Sequence, residues 1–211
     1  MQKKGGVKMY VKEISEIENL IHEQAQWRKI DRGAFPGSSS NHHLDTLAQM
    51  AICTYEMMEF GEQYAEDTIK NAKALAATLE RFGFDVQARE FGYTESQQVA
   101  LNVKNFRGGE RVLKNLEIND IIVNMNMLPH EPLKAHDHPD GIRIGVQEMT
   151  RFGMGVMEME RIAELMKECI IDKKSVKEEV NRFRSEYQLV KYSYDEPRPK
   201  QLKVLEGKRL D

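Results

Sequence analysis

The apolar positions along the chain follow two rhythms. Residues 13–28 carry Ile14, Ile17, Leu20, Ile21 and Ala25 at three-to-four spacing, the period of a helix with one buried stripe. A far longer run of the same period covers residues 44–81, through Leu47, Met50, Ala51, Thr54, Met57, Met58, Tyr64, Ala65, Ile69, Ala72, Leu75, Ala76 and Leu79. That exceeds an ordinary helix of a compact domain, so Phe60-Gly61 is the expected kink or break and Gly83 the expected stop. Beyond Gly83 the period falls to two. Strands are predicted at 84–88, 98–103, 121–123 and 142–146. Helices are predicted at 108–119, with Val112, Leu113, Leu116 and Ile118, and at 153–171, with Met157, Ile162, Leu165, Met166 and Cys169 inward. The order β-β-α-β-β-α predicts a small sheet with helices on one face. Residues 1–11 read as a short strand after Gly5-Gly6, and 31–40 as a loop. Asn41 is the expected cap of the long helix. Residues 175–187 read as a further helix, with Ser175 as cap and Glu178 completing a capping box. From Tyr192 the chain is charged and proline-containing, the composition of a loosely held tail.

One strand carries a charge. In Asp140-Gly141-Ile142-Arg143-Ile144-Gly145-Val146, the apolar residues Ile142, Ile144 and Val146 share a face and Arg143 points the other way. A cation in such a strand calls for a partner, because an isolated buried charge is very costly. Two readings stand at this point. A structural salt bridge is the commoner fate of a half-buried arginine. Alternatively, the planar fork holds a small carboxylate in a cleft, a geometry that suits guanidinium. The flanking glycines leave room for close approach to the backbone.

Composition narrows the function classes. The 211 residues carry 31 basic and 34 acidic side chains, a net charge of −3, which gives no general pull toward nucleic acid or anionic membrane. No apolar run reaches the length of a membrane span and no signal-peptide core opens the chain, so a cytoplasmic location is expected. Cys53 and Cys169 lie far apart in helical patterns and read as reduced, buried thiols. Nucleotide-binding glycine fingerprints, Walker loops, HExxH and CxxC pairs do not occur.

Two further clusters bear on chemistry. Phe35-Pro36-Gly37-Ser38-Ser39-Ser40-Asn41-His42-His43 precedes the long helix. Hydroxyls and N–H groups at a helix N-terminus can cradle phosphate, although serine and asparagine are also what any N-cap needs. His136-Asp137-His138 offers nitrogen and oxygen ligands two residues apart, but in a proline-flanked loop its ordinary reading is a polar turn, and no metal is assigned.

Taken in order, several motifs resemble the serine hydroxymethyltransferase family. They are Phe35-Pro36-Gly37 with Asn41-His42-His43-Leu44 and Thr46-Leu47-Ala48, then Lys70-Asn71-Ala72-Lys73-Ala74-Leu75-Ala76, then Thr94-Glu95-Ser96-Gln97-Gln98-Val99. Ile122-Val123-Asn124-Met125-Asn126-Met127-Leu128-Pro129, Gly141-Ile142-Arg143-Ile144-Gly145 and Thr150-Arg151-Phe152-Gly153-Met154 follow, the last as the expected opening of the next helix. The resemblance covers roughly residues 5–190.

It implies an α/β fold: the small-domain sheet with helices on one face, plus a long interdomain helix, of the aspartate-aminotransferase (fold type I, pyridoxal-phosphate) fold. The implied domains are 1–43 as a remnant of the large domain, 44–83 as the interdomain helix region, 84–190 as the small α/β domain and 191–211 as a charged tail. The implied reaction moves a one-carbon unit between serine and a reduced pterin carrier of the tetrahydrofolate type, with pyridoxal 5'-phosphate as cofactor. Arg143 is then the group that binds the amino-acid carboxylate. Ser40 and Asn41 stand where the family usually has a Gly-Gly pair that reaches the neighbouring subunit's cofactor phosphate. Ser96, Gln97 and Asn126 lie toward the carrier cleft. The departures are Ser40-Asn41 for Gly-Gly, Met125 where lysine is common and Asn102 where aspartate is common. No counterpart of the Schiff-base lysine is present, and pyridoxal-phosphate catalysis needs it. The chain therefore resembles the C-terminal half of such an enzyme: a fragment, one piece of a split enzyme, or a remnant kept for another task. The expected partners are a second copy or a separate lysine-bearing chain, and a small amino acid. The alternative is a non-catalytic binding or dimerisation module derived from the same fold.

Overall fold

In a computed structural model of the chain, which describes residues 27–39, 41 and 43–194, the change of period at Gly83 is a change from helix to sheet. The expected strand at 1–11 and most of the expected helix at 13–28 lie outside the described residues. The chain divides into two units, Met1–Ile52 and Cys53–Asp211.

In the first unit, helix α1 (Trp27–Arg32) runs into a helical turn, Gly33–Ser38, whose backbone leaves helical angles at Phe35 and Pro36. The expected loop at 31–40 is thus partly helical. The Ser38 and Ser39 hydroxyls both donate to the Ala34 carbonyl, at 3.1 and 2.8 Å, so these serines close their own turn. Helix α2 (Leu44–Arg81) starts when the Leu47 N–H donates to the His43 carbonyl at 3.1 Å. That bond puts the cap position at His43, two residues later than the expected Asn41.

Helix α2 runs for 38 residues without the break expected at Phe60-Gly61. A Cβ at Gly61 would meet nothing nearer than Met57 at 3.7 Å, so this glycine does not make room for a neighbour. Gly83 does end it. Its φ is +90°, the Phe84 N–H donates to the Leu79 carbonyl and the Gly83 N–H to Glu80, the paired bonds of a Schellman stop. Within the second unit the helix buries Thr68, Asn71, Ala72, Leu75, Ala76 and Leu79, one stripe at helical spacing. Cys53, expected buried, is exposed, while Cys169 is buried.

The sheet has four antiparallel strands in the order β1-β2-β4-β3: β1 (Asp85–Val86), β2 (Gln98–Asn102), β3 (Asn124–Met125) and β4 (Gly141–Gly145). Helices α3 (Gly109–Ile118), α4 (Gln147–Arg151), α5 (Val156–Ile170) and α6 (Lys177–Ser185) complete the unit. Val99, Leu101, Ile142 and Ile144 face the helices and join Leu75, Leu79, Val112, Leu116, Met159 and Met166 in one core. This is the expected α/β arrangement.

Several elements shift from expectation for identifiable reasons. Residues 121–123 form no ladder; the strand is Asn124–Met125. Ile121 and Val123 instead pack against the core, and Ile122 is 79% exposed. Ile118 and Met157 are exposed as well, because the buried stripes of their helices run through Val112–Leu116 and through Met159, Ala163 and Met166. The motif Thr150-Arg151-Phe152-Gly153-Met154 ends α4 rather than opening α5, with Gly153 at φ +85°. Helix α6 has Val176, not Ser175, at its cap, and no capping side chain of its own. The buried Asn119 does that work from another element: its Oδ1 accepts the Val176 N–H at 2.7 Å. Finally, Tyr192 and Tyr194 are not loose. The Tyr192 hydroxyl donates to Asp67 at 2.8 Å and the Tyr194 N–H to Glu56 at 3.2 Å, strapping residues 192–194 onto α2. Residues 195–211 lie outside the described residues.

Candidate functional site

An antiparallel sheet with helices on one face leaves its other face open, and the register decides what stands there. Arg143 lies opposite Ala100 on β2 and Asn124 on β3; Gly145 lies opposite Gln98 and Gly141 opposite Asn102. The open face is therefore polar and low, with Arg143 at its centre. Ala100 is small, and the residues two before and two after Arg143 are glycines. Gly141 is needed for close approach, because backbone and a buried leucine lie against it, whereas Gly145 faces only the movable end of a side chain. A Cβ at Gly141 would lie 2.7 Å from Leu128 Cγ and would overlap the Asn126 carbonyl; one at Gly145 would lie 2.6 Å from the Gln147 side chain. The loop after β3 and the Gln147 side chain thus fold over the two ends of the strand, and Arg143 rises between them.

The exit of β4 is fixed by a buried polar chain. The Thr150 hydroxyl donates to the Val146 carbonyl at 2.9 Å, and the Asn71 side-chain amide donates to Thr150 at 2.9 Å and to the Met154 carbonyl at 2.8 Å. Tyr64 adds a bond from its hydroxyl to the Gln147 carbonyl at 2.9 Å. Nearby, Arg151 pairs with Glu56 at 2.9 Å, with both side chains largely covered.

Arg143 has no such acidic partner. Among the described residues no carboxylate lies within 4.0 Å of it, and its Nε donates to a neutral group, Asn124 Oδ1, at 3.3 Å. Among the described residues the salt-bridge reading thus finds no acid, and the guanidinium stands on the open face with Asn124 at its Nε. A cavity of about 280 Å³ lies against the opposite, apolar side, lined by Leu75, Ile144, Met149, Met159, Phe183 and others, and Arg143 is not among its lining residues.

The other expected residues distribute around this strand. Asn126 is half-buried just past β3; its N–H donates to the Gly141 carbonyl at 3.0 Å and its side chain to the Met127 carbonyl at 2.7 Å. Gln97, half-buried at the entry to β2, accepts the Val146 N–H at 3.1 Å through its carbonyl. Ser96 is exposed in a turn with Thr94, whose hydroxyl accepts the Ser96 N–H at 3.0 Å. Asn126 and the Ser96-Gln97 pair thus lie at opposite ends of β4 from each other, and none of their side chains touches Arg143. Ser40 lies outside the described residues, and Asn41 is an exposed bend in the first unit. Asn124 is the partner that reading the sequence missed, because the strand expected at 121–123 ended just before it. His136 and His138 are exposed, and among the described residues no group of three or more His, Cys, Asp or Glu side chains is placed to hold a metal. Nor, among them, is any helix long and apolar enough to cross a membrane.

The family model for serine hydroxymethyltransferase matches residues 2–166. The serine hydroxymethyltransferase of Metallosphaera sedula is 50% identical over 175 residues, 82% of this chain and 41% of that protein. That of Archaeoglobus fulgidus is 50% identical over 171 residues, 80% of this chain and 39% of the relative. The crystal structure of the L-threonine transaldolase of Pseudomonas fluorescens, in its internal aldimine state, superposes with a TM-score of 0.69 at 27% identity, covering 82% of this chain and 40% of that one. The chain spans about two fifths of the length of the curated relatives it matches. It has the fold expected of it, part of a fold type I pyridoxal-phosphate architecture. By the extent of the family match and the identity to its relatives, the chain belongs to the serine hydroxymethyltransferase family.

Proposed function

We propose that this chain forms the substrate-carboxylate side of a serine hydroxymethyltransferase, which moves a one-carbon unit between serine and a reduced pterin carrier of the tetrahydrofolate type. The observation that carries this reading is Arg143: a charge at the centre of an open sheet face, paired with a neutral asparagine and, among the described residues, with no acid beside it. A guanidinium so placed suits bidentate grip of an amino-acid carboxylate. Asn124 holds its Nε edge and leaves the terminal nitrogens to the ligand. In this reading Ser96, Gln97 and Asn126 border the carrier, and Ser40 and Asn41 reach the cofactor phosphate of a neighbouring subunit. Residues 44–83 join the two domains of the enzyme, and the protein works in the cytoplasm.

The donors described around Arg143 fit the substrate end of such a site, and the covalent hold on the cofactor belongs to a lysine on a separate segment. Pyridoxal 5'-phosphate, when bound, supplies the electron sink for cleavage next to the amino nitrogen. This chain's own residues bind and orient the amino acid. The test is serine-to-glycine exchange, with the lysine-bearing half of the enzyme added to this chain. Activity is expected only in the mixture. Arg143→Ala should lower kcat/KM by two to three orders of magnitude, within the range for truncating a hydrogen-bonded charge pair, about 2–5 kcal/mol. Full activity of the Arg143→Ala mixture would overturn the reading.

A second reading has its own observation. Within the first unit, helix α2 leaves Leu44, Leu47 and Met50 exposed. Apolar side chains at such spacing suit a second copy of the chain, and a dimerisation module without catalysis would use them alone. Dimer formation indifferent to Arg143, with no exchange under any pairing, would favour it.

A further inference from the structure

Residues 126–140 connect β3 to β4, and one carboxylate ties the two limbs of this long loop together. Glu131 Oε2 accepts the Leu128 N–H at 2.6 Å, and Oε1 accepts the Asp140 N–H at 2.7 Å. Bonds from backbone N–H groups to an ionised acceptor are about twice as strong as neutral ones. Among the described residues Glu131 has no cationic partner; both its oxygens go to backbone. The limbs it joins are the two that flank the open-face cation. On the incoming side lie Asn124 and Asn126, then Leu128, which is buried and seated against Gly141. The outgoing side leads from Asp140 through Gly141 to Arg143.

The two limbs are not held equally. The outgoing one is anchored from elsewhere: the Gly109 N–H donates to the Pro139 carbonyl at 3.0 Å and the Val103 N–H to the Asp140 carbonyl at 2.8 Å. For the incoming limb beyond β3, the bonds to the rest of the unit among the described residues are the Asn126 N–H to Gly141 and the clamp through Glu131. The Glu131 N–H also donates to the Leu128 carbonyl at 3.0 Å, closing the turn that aims the carboxylate.

We infer that Glu131 is a positioning residue for the open-face site: it presses the Asn124–Asn126 limb against β4 and so holds Asn124 Oδ1 on Arg143 Nε. The inference rests on the reading of Arg143 as the carboxylate-binding group. It goes beyond that reading by making ligand affinity depend on a glutamate that touches neither Arg143 nor the ligand.

The experiment uses the full chain labelled with nitrogen-15. Glu131→Ala should speed hydrogen exchange at the Leu128 and Asp140 amides about tenfold to a hundredfold, the scale of a lost charge-assisted bond. The Arg143 Nε–H should exchange faster in step, while the Leu101 and Ile142 amides keep their rates, which a general loss of stability would not spare. L-serine, titrated while the Arg143 Nε–H is followed, should bind about tenfold more weakly. Glu131→Gln keeps the reach and one acceptor oxygen, so it should restore part of both effects. Glu131→Asp, one methylene shorter, should restore little.

Unchanged Arg143 Nε–H exchange and unchanged serine affinity, with Leu128 and Asp140 exchanging freely, would overturn the inference and leave Glu131 a loop staple. Should Glu131→Ala not fold, Glu131→Gln carries the same test: one of the two amides and the Arg143 Nε–H must both exchange faster, or the inference falls. If serine moves no signal in the unaltered chain, the ligand assigned to Arg143 fails, and Nε–H exchange alone decides whether Glu131 positions it.

Discussion

Neighbouring residues on β4 live in opposite environments. Ile142 is fully buried beneath the helices, and Arg143 stands on the open side with one neutral partner. On the helix side, position is set by packing: each apolar side chain is gripped by several others, and any of them contributes through the volume it fills. On the open side, position is set by directed bonds and by small residues that keep space clear. The first side makes the unit stable. The second carries Arg143, beside which no acid stands among the described residues.

This contrast is most easily broken at its centre. Ile142→Ala should destabilise the chain by about 2–5 kcal/mol, the usual cost of a cavity at a packed site, whereas Arg143→Ala should change stability by no more than about 0.5 kcal/mol. Urea unfolding of the two variants checks both; an Arg143→Ala loss as large as that of Ile142→Ala would mean the open side is structural after all. Next in size is the polar element inside the apolar side. Asn119→Ala removes the acceptor of the Val176 N–H and should cost about 1–3 kcal/mol, seen as a lower unfolding midpoint with early loss of α6 helicity.

The smallest effect concerns the strap of residues 192–194. Burial, then the hydrogen bond to Asp67 and its charge, push the Tyr192 hydroxyl up from the ordinary 10.0 to about 12. The proton is thus held more tightly in the folded chain than in the unfolded one. The stability it contributes is complete below pH 10 and is lost as pH rises from 10 through about 12. Tyr192→Phe should cost about 0.5–1.5 kcal/mol at neutral pH, and the difference from the unaltered chain should shrink through that alkaline window. Unfolding midpoints of both proteins against pH measure it; a constant gap would show that the hydroxyl contributes nothing that depends on its proton.

How much was legible in the sequence depends on the range of the interaction. The C-terminal half of the α2 stripe, the Gly83 stop and the alternation around Arg143 are local patterns, and each appears where expected; the N-terminal half of the stripe, with Leu47, Met50 and Met58, is exposed instead. Errors arose where a residue answers to something distant. Ile121 and Val123 look like a strand because they are apolar, but helices cover them and the ladder forms one step later. Ser175 looks like a cap, but Asn119, far away in the chain, already supplies the oxygen. Ile118 and Met157 look inward-facing because hydrophobicity was read without the rotation of the helix. Tyr192 looks like part of a tail because its partner, Asp67, lies far back in the chain.

By itself the sequence determined the long helix and its stop, the change to a small sheet after Gly83, the face on which Ile142 and Ile144 lie and, through ordered motifs, membership of the family. Periodicity and turn chemistry act over a few residues, so they are written in the order of the letters. Only the tertiary structure decided that Arg143 meets Asn124, that Leu128 seats against Gly141 and the Gln147 side chain against Gly145, and that Glu131 ties the loop beside it. Those facts depend on strand register and on which backbone groups a folded loop brings together, and neither is a property of any short stretch of chain.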